Sequence, residues 1–154
     1  MKKKKPSSGA IVNRRARFDY QLNDEIQAGL VLSGPEVRAA RDGHVQLKDS
    51  YVALNKNELW LHNASFSIRL NQKGEAQGRT VDTTPRKLLV SRKQIESLAA
   101  HKKAGLTIVP LRLLNRNKFI KLVIAAGKGK KRYDKRQTIK RRDIEREHQK
   151  QLKH

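Results

Sequence analysis

The residues best suited to chemistry with a partner are concentrated in GKGKKRYDKR, residues 127–136. Its six Lys and Arg side chains provide positive charge for phosphate groups, and its two Gly residues allow close backbone approach. Tyr133 offers a ring that can stack on a base. The segment is not a nucleotide-binding phosphate loop, because no GxxxxGK[ST] pattern occurs. Its composition favours contact with RNA or DNA, and the alternative is a solvated basic tail that only aids solubility.

Residues for metal binding or covalent catalysis lack the spacing that such sites need. The five histidines are His44, His62, His101, His148 and His154. They form no HxH or HExxH pattern, no GxSxG motif occurs, and the chain has no Cys. We therefore expect no catalytic residue, no metal site, no cofactor and no enzyme activity.

Charge is the dominant feature of the composition, with 36 Lys and Arg against 14 Asp and Glu and a formal charge of +22 over 154 residues. Residues 1–17 carry +7, residues 127–154 carry +8, and the 109 residues between them carry only +7. The expected partner is a polyanion: RNA, DNA or an acidic membrane surface. No apolar run approaches the roughly 18 residues of a membrane span, and no apolar segment follows MKKKKPSSG as in a secretory signal.

These shifts in composition predict three regions. Residues 1–9 form a disordered basic N-terminus, and residues 10–126 form one folded domain with a mild basic bias. Residues 127–154 form a basic tail whose aliphatic residues, Ile139, Ile144 and Leu152, make a stripe too thin to fold alone. We expect this tail to be disordered when free and helical on a partner that neutralises its charge.

Apolar runs predict about six short strands, which include residues 28–32, 50–54, 58–62, 87–90, 106–114 and 118–126. The segment Asn55-Lys56-Asn57 predicts a hairpin turn, since Asn accepts positive φ. We expect residues 71–85 to be a long mobile loop and Trp60 to pack in the core, with base stacking as the alternative role of Trp60. Strands joined by hairpins with few helices indicate a small antiparallel barrel.

Two short helices are predicted by capping boxes. Ser33 and Glu36 begin the first, which covers residues 36–41 and stops at Gly43. Ser91 begins the second, which covers residues 94–103 and ends at Gly105.

Several blocks in one order resemble the small protein B family, also called SsrA-binding proteins. The blocks are IVNRRARFDY (11–20), AGLVLSGPEVRAARDG (28–43), DSYV (49–52), PRKLLVSRKQIESL (85–98), GLTIVPLRL (105–113) and GKGKKRYDKR (127–136). The resemblance extends from Ile11 to Arg136. It departs from the family at Gln27, where relatives commonly carry an acidic residue, and at Ile144, where an aromatic residue is sometimes found.

The resemblance implies that residues 10–126 form an oligonucleotide-binding (OB-like) RNA-binding barrel, mainly β, with two or three short flanking helices. It implies binding to the tRNA-like domain of transfer-messenger RNA and delivery of that RNA to stalled ribosomes in the bacterial cytoplasm. The tail would enter the decoding centre and the messenger channel, so that the unfinished protein is tagged and the ribosome released. Implied partners are therefore that RNA, the ribosome and, indirectly through the RNA, elongation factor Tu, with no membrane and no small-molecule substrate.

The resemblance also assigns site residues. The RNA-binding positions expected on the barrel are Asn13, Arg14, Lys87, Leu89, Lys121, Lys128 and Gly129. The positions expected to contact the ribosome are Lys130, Lys131, Tyr133, Asp134, Lys135, Arg136, Ile139 and Ile144. A small structural ribosomal protein bound permanently to rRNA is the alternative reading, because it shares the basic arms, the small barrel and the lack of Cys. The order of the motifs favours the rescue factor.

Overall fold

The computed structural model describes residues 9–69, 78–116 and 118–152, so the prediction for residues 1–8 lies outside the described residues. The strands are β1 (Ile11–Val12), β2 (Tyr20–Leu30), β3 (Val45–Gln46), β4 (Tyr51–Asn55), β5 (Glu58–His62), β6 (Ser65–Arg69), β7 (Arg79–Asp82), β8 (Arg86–Leu89), β9 (Thr107–Arg116) and β10 (Phe119–Gly129). The helices are α1 (Arg14–Asp19), α2 (Gly34–Arg41), α3 (Arg92–Lys103) and α4 (Arg132–Gln151).

Six of these strands close into a barrel. The main sheet has the order β1-β9-β10-β2-β8-β5-β4, and β4 pairs back with β9 where Val52 lies opposite Ile108. The pairing of β4 with β9 closes β9, β10, β2, β8, β5 and β4 into a ring, which is how small antiparallel barrels satisfy their backbone groups. The predicted mainly β, OB-like barrel is confirmed.

The barrel strands β2 and β10 are longer than the apolar runs that predicted them. Strand β2 begins at Tyr20 and ends at Leu30, and β10 continues past Ala126 to Gly129. The two added segments pair with each other, with Gly129 opposite Tyr20. Because cross-strand hydrogen bonds stabilise residues that bury little apolar surface, hydrophobicity alone underestimated both strands.

A second sheet, with the order β3-β6-β7, lies beside α2. Its strand β7 shows that the predicted loop over residues 71–85 is wrong for Arg79–Asp82, where Val81 lies opposite Ser67 of β6. The residues of β7 are mostly exposed, so pairing and not an apolar period defines this strand. The part of the predicted loop over residues 71–77 lies outside the described residues.

The predicted turns and caps are confirmed. Lys56 and Asn57 have φ angles of 46° and 62°, as a two-residue hairpin turn between β4 and β5 requires. In α2 the Ser33 N–H donates to Glu36 Oε2 at 2.8 Å, and in α3 the Ser91 N–H donates to Gln94 Oε1 at 3.1 Å. These reciprocal bonds satisfy backbone donors that a helix start leaves unpaired.

Apolar residues form an interior core and a smaller outer cluster. Leu59, Leu61 and Leu122 are fully buried inside the barrel. Ala16 of α1 covers Val109 and Val123 on the outside of β9 and β10. The prediction that Trp60 packs in the core is wrong, because it alternates with Leu59 and Leu61 along β5 and therefore faces outward.

One buried side chain, Arg86 of β8, connects the barrel to its flanking elements. Its guanidinium, 3% exposed, forms an ion pair with Glu36 of α2 at 2.9 Å. It donates to the Ala64 carbonyl at 3.2 Å and to the Thr84 carbonyl at 2.7 Å, and it lies 3.9 Å from the Phe66 ring centroid. One planar group with five donors therefore joins β8 to α2, to β6 and to the loops that precede β6 and β8.

Replacement of Arg86 by Met leaves the Glu36 carboxylate buried without its partner. We expect Arg86→Met to lower the free energy of unfolding by about 3–5 kcal/mol, measured by urea denaturation. Arg92→Met is the control, since Arg92 is 93% exposed, and it should change that free energy by less than about 0.5 kcal/mol. Equal urea midpoints for the two variants would contradict the role given to Arg86.

Candidate RNA interface

Alternation along the barrel strands brings Lys121, Gly29 and Leu89 into one line on the outer surface. Gly29 of β2 lies opposite Lys121 of β10 on one side and opposite Leu89 of β8 on the other. Lys87, two residues before Leu89, lies opposite Trp60 of β5. We call the surface formed by these five residues the barrel face.

Exposed apolar side chains border the barrel face. Leu89 is 55% exposed, Phe119 is 70% exposed and Val31 is 50% exposed. A groove of about 260 Å³ runs between Leu89 and Phe119, with the lysines Lys118 and Lys121 also lining it. An apolar floor that bases can stack on, next to cations that can meet phosphates, is the arrangement found in single-strand-binding surfaces.

Because Gly29 has no side chain, nothing protrudes from β2 at this point of the barrel face. A Cβ atom at Gly29 would come within 3.2 Å of the Leu89 Cβ atom, closer than side chains normally pack. The absence of a side chain at this position therefore allows Leu89 to lie across β2. Gln27, where the family resemblance predicts an acidic residue, is exposed on the same outer side of β2.

Lys87 is oriented by a carboxylate. Its Nζ lies 2.7 Å from Glu58 Oε1, and both side chains are partly exposed. Hydrogen bonding from Lys87, together with its positive charge, lowers the pKa of Glu58, and a hydrogen bond from Trp60 lowers it further. A hydrogen-bonded group thus lies at the edge of the barrel face, with Glu58 accepting from both Lys87 and Trp60.

The opening block of the sequence is placed beside β9. Asn13 is buried, its Nδ2 donates to the Pro110 carbonyl at 3.0 Å, and its N–H donates to the Leu111 carbonyl at 2.7 Å. These bonds fix the chain where it enters α1. Arg14, the first residue of α1, is exposed. Of these two sequence-predicted contacts, only Arg14 has a side chain that faces solvent.

The two glycines of GKGKK have different surroundings. A Cβ atom at Gly127 would lie 3.0 Å from Leu22 Cδ2 and 3.1 Å from Tyr20 Cβ, so Gly127 is required by the packing of β10 on β2. The expectation that both glycines open the backbone to phosphate is therefore wrong for Gly127. A Cβ atom at Gly129 would meet nothing within 4 Å, and the neighbouring Lys128 is exposed.

The tail leaves the barrel through contacts with the end of α1. The Lys130 N–H donates to the Asp19 carbonyl at 2.8 Å, and the Lys130 Nζ donates to the Arg17 carbonyl at 3.2 Å. Lys131 is the N-cap residue of α4. One turn into α4, Lys135 Nζ lies 3.0 Å from Asp19 Oδ1. Phe18 lies beneath two cations of α4, with Lys135 at 6.0 Å and Arg142 at 5.7 Å from its ring centroid.

Beyond this contact α4 is exposed. It has 20 residues, all of them described and none buried, and at 1.5 Å per residue it extends about 30 Å. Tyr133 is 68% exposed, and Ile139 and Ile144 are 48% and 46% exposed. Asp134 and Arg136 also face solvent. These side chains, predicted as ribosome contacts, lie apart from the barrel face on a separate element.

Sequence reasoning missed Phe119 and Val31, which lie beside the barrel face, and for Trp60, which lies on it, favoured core packing over base stacking. The strict alternation of buried and exposed positions in β5 was the available signal for Trp60. Within the described ranges, no cluster of three or more His, Asp or Glu residues could hold a metal ion. The helices described here include none that is both long and apolar enough to span a membrane.

A closed antiparallel barrel that presents stacking surfaces and lysines, followed by a basic helix, defines a nucleic-acid-binding protein of the OB-like class. The sequence model of the SmpB protein family matches residues 10–154. The chain therefore belongs to the SmpB family.

Individual relatives agree with this assignment. The SsrA-binding protein of Coprothermobacter proteolyticus is 45% identical, over 88% of this chain and 90% of the relative. That of Oleidesulfovibrio alaskensis is 41% identical, over 99% of this chain and 98% of the relative. A chain in a solved structure described as "tmRNA-SmpB: a journey to the center of the bacterial ribosome" superposes with a TM-score of 0.61. It is 31% identical, and the match covers 84% of this chain and 94% of that one.

The contact between α4 and α1 can be tested through the titration of Asp19. The hydrogen bond from Lys135 lowers the pKa of Asp19 below its usual value of 3.8, with further lowering by Arg15. The stabilisation that this bond gives to the docked helix is therefore present above pH 3.8 and lost as the pH falls through the lowered value. We expect Lys135→Met to raise the pKa of Asp19, measured by NMR titration of its carboxyl carbon.

Lys140→Met is the matched control, because Lys140 is an exposed cation of the same helix. It should leave the titration of Asp19 nearly unchanged. A pKa of Asp19 that is the same in the wild type and in Lys135→Met would show that α4 does not dock through this pair.

Proposed function

We propose that this protein binds the tRNA-like domain of transfer-messenger RNA through its barrel face and delivers that RNA to stalled ribosomes in trans-translation. The observation that carries the proposal is the presence of two cationic surfaces on separate elements. One is the barrel face, and the other is α4, which buries none of its residues. Relatives that share over two fifths of their residues with this chain are SsrA-binding proteins.

On the barrel face, Lys121 contacts phosphate and sets the register of the RNA, while Leu89 and Phe119 support unstacked bases. Phosphate contacts give most of the affinity and base contacts give the specificity. Lys87 joins the contact with part of its charge already balanced by Glu58. Arg14 and Lys128 extend the positive surface at the other end of the barrel, with Gly129 open to close approach.

The tail acts in the decoding centre and the messenger channel, where it takes the place of a codon–anticodon pair. Its ribosome-contacting residues are Lys130, Lys131, Tyr133, Asp134, Lys135, Arg136, Ile139 and Ile144. The pair between Lys135 and Asp19 sets the angle at which α4 leaves the barrel. Residues 127–131 are held by β10 and by the bond of Lys130 to α1, and Lys135 docks the first turns of α4 on Asp19. Because tertiary packing contributes little to the stability of the rest of α4, that part of the helix frays in the free protein and becomes fully helical as rRNA neutralises its charge.

The protein works by placing RNA and not by catalysis, and it needs no cofactor. It acts in the bacterial cytoplasm, together with transfer-messenger RNA and the ribosome, and it meets elongation factor Tu through the RNA. Purification of the full chain from its host, followed by sequencing of the bound RNA, tests this directly. Transfer-messenger RNA is the expected RNA, whereas rRNA in stoichiometric amounts would point to a structural ribosomal protein.

Removal of one cation from the barrel face should weaken RNA binding in a salt-dependent way. We expect Lys121→Gln to reduce the slope of log K against log salt by about one, because one phosphate contact is lost. The measurement is the Kd for the tRNA-like domain over a range of salt concentrations. Lys103→Gln on α3, another exposed lysine, is the control; an equal effect of both variants would remove Lys121 from the interface.

Removal of α4 should separate RNA binding from ribosome rescue. The truncation is made after Lys131 and not after Ala126, because β10 continues to Gly129 and Lys130 is bonded to α1. We expect the truncated protein to keep its fold and most of its affinity for the tRNA-like domain, and to lose peptide tagging in a reconstituted stalled-ribosome reaction.

Replacement of Asp134, Lys135 and Arg136 by Ala in the full chain is the matched comparison. It should leave the affinity for the isolated RNA nearly unchanged and reduce tagging. If truncation after Lys131 supports full tagging, the assignment of rescue to the tail is wrong.

A further inference from the structure

A cavity on the other side of α2 carries a concentration of positive charge that the proposed contacts do not use. It has a volume of about 390 Å³ and lies between α2, β6 and β7. Its charged lining is Arg38 from α2, Arg69 from β6 and Arg79 from β7, together with one carboxylate, Asp42. The three arginines and the one carboxylate give a formal charge of +2, and the imidazole of His44 also lines the cavity.

Two arginines of this cavity lie where their like charges repel each other. Arg69 and Arg79 lie directly opposite each other in the register of β6 and β7. Cβ atoms in such pairs are about 5 Å apart, and like charges there are destabilising. Among the residues that the structure describes, Arg38, Arg69 and Arg79 form no ion pair. No partner among the described residues explains this arrangement, and an anion between the guanidinium groups would.

The chemistry of the lining specifies the anion. Guanidinium groups are planar forks that bind phosphate with two parallel hydrogen bonds, and they are common where phosphate is recognised. All three arginines are exposed, so the cavity is accessible to a large molecule. Its lining includes no Phe, Tyr or Trp, and the imidazole of His44 is its one ring. These features fit the backbone of a nucleic acid better than a nucleotide.

The position of the cavity relates it to the barrel face. Val37 of α2 lines the groove beside Leu89, and the next residue, Arg38, lines the cavity. Helix α2, about 10 Å wide, is thus the wall between the two surfaces. The ion pair between Arg86 and Glu36 fixes α2 against the strands that carry the other cavity residues. Both surfaces are therefore held in a constant relation to each other.

We propose that this arginine cavity binds backbone phosphates of the RNA held on the barrel face, so that the protein contacts the RNA on both sides of α2. The inference rests on the proposed function and extends the RNA surface beyond the barrel strands. Since each arginine meets one phosphate, the cavity supplies about three counterion-releasing contacts.

The test compares the wild-type chain with the triple variant Arg38→Gln, Arg69→Gln and Arg79→Gln. The probe is the tRNA-like domain of transfer-messenger RNA, with Kd measured from about 50 to about 200 mM salt. We expect the slope of log K against log salt to fall by about three, so that the wild type loses about forty-fold more affinity than the variant over this range. The variant should fold as well as the wild type, since a like-charge pair is removed, and circular dichroism melting checks this.

The matched control removes the same charge from α3, with Lys93→Gln, Lys102→Gln and Lys103→Gln, all exposed positions. A fall of about three in the slope of the arginine variant, with little change in this control, supports the proposal. Equal slopes for the two variants overturn it while leaving the proposed function intact. If the triple arginine variant does not fold, Arg38→Gln alone decides, with an expected fall of about one.

Failure of the proposed function gives a different result. In that case the wild type binds the tRNA-like domain no more tightly than an unrelated RNA of equal length. The same slope comparison on the unrelated RNA then decides whether the cavity binds phosphate. An unchanged slope on that RNA would contradict phosphate binding in the cavity as well.

Discussion

The buried ion pair between Arg86 and Glu36 is the interaction that joins the barrel to the elements around it. Glu36 serves two partners: one carboxylate oxygen closes the capping box of α2, and the other accepts from Arg86. The guanidinium also bonds to carbonyls beside β6 and β7 and covers the Phe66 ring. A buried pair of this kind is costly to form and more costly to break, so its value lies in holding one arrangement of α2, β6, β7 and β8.

The outer surface of the barrel is divided by this arrangement. In the middle of β10, Val123 and Ala125 are covered by α1, whereas Lys121, nearer its start, remains open to solvent. Residues of one strand therefore serve the interior core, the outer cluster and the barrel face in turn. Helix α2 borders the open part, and its position decides where the apolar groove ends and the arginine cavity begins.

Charge has a different role at each surface. With a formal charge of +22 the chain repels itself, and a polyanion relieves that repulsion. A few carboxylates orient particular cations: Glu58 orients Lys87 at the barrel face, and Asp19 orients Lys135 at the start of the tail. These partly exposed pairs contribute little to stability, and their importance is that they give direction to side chains and to α4.

The sequence by itself determined the helix starts, the hairpin turn, the apolar strands, the family and the uneven distribution of charge along the chain. Capping boxes at Ser33 and Ser91, the turn at Lys56 and Asn57, and the apolar runs are local signals, since they depend on residues a few positions apart. The same ordered motifs named Lys87, Leu89 and Lys121 before their positions in space were known.

Only the tertiary structure decided that Trp60 faces outward, that Asn13 is buried and that Gly127 is needed for packing. It alone brought Arg38, Arg69 and Arg79 together and set Lys135 against Asp19. These relations depend on strand register and on contacts between distant segments, which local patterns of hydrophobicity and charge do not specify.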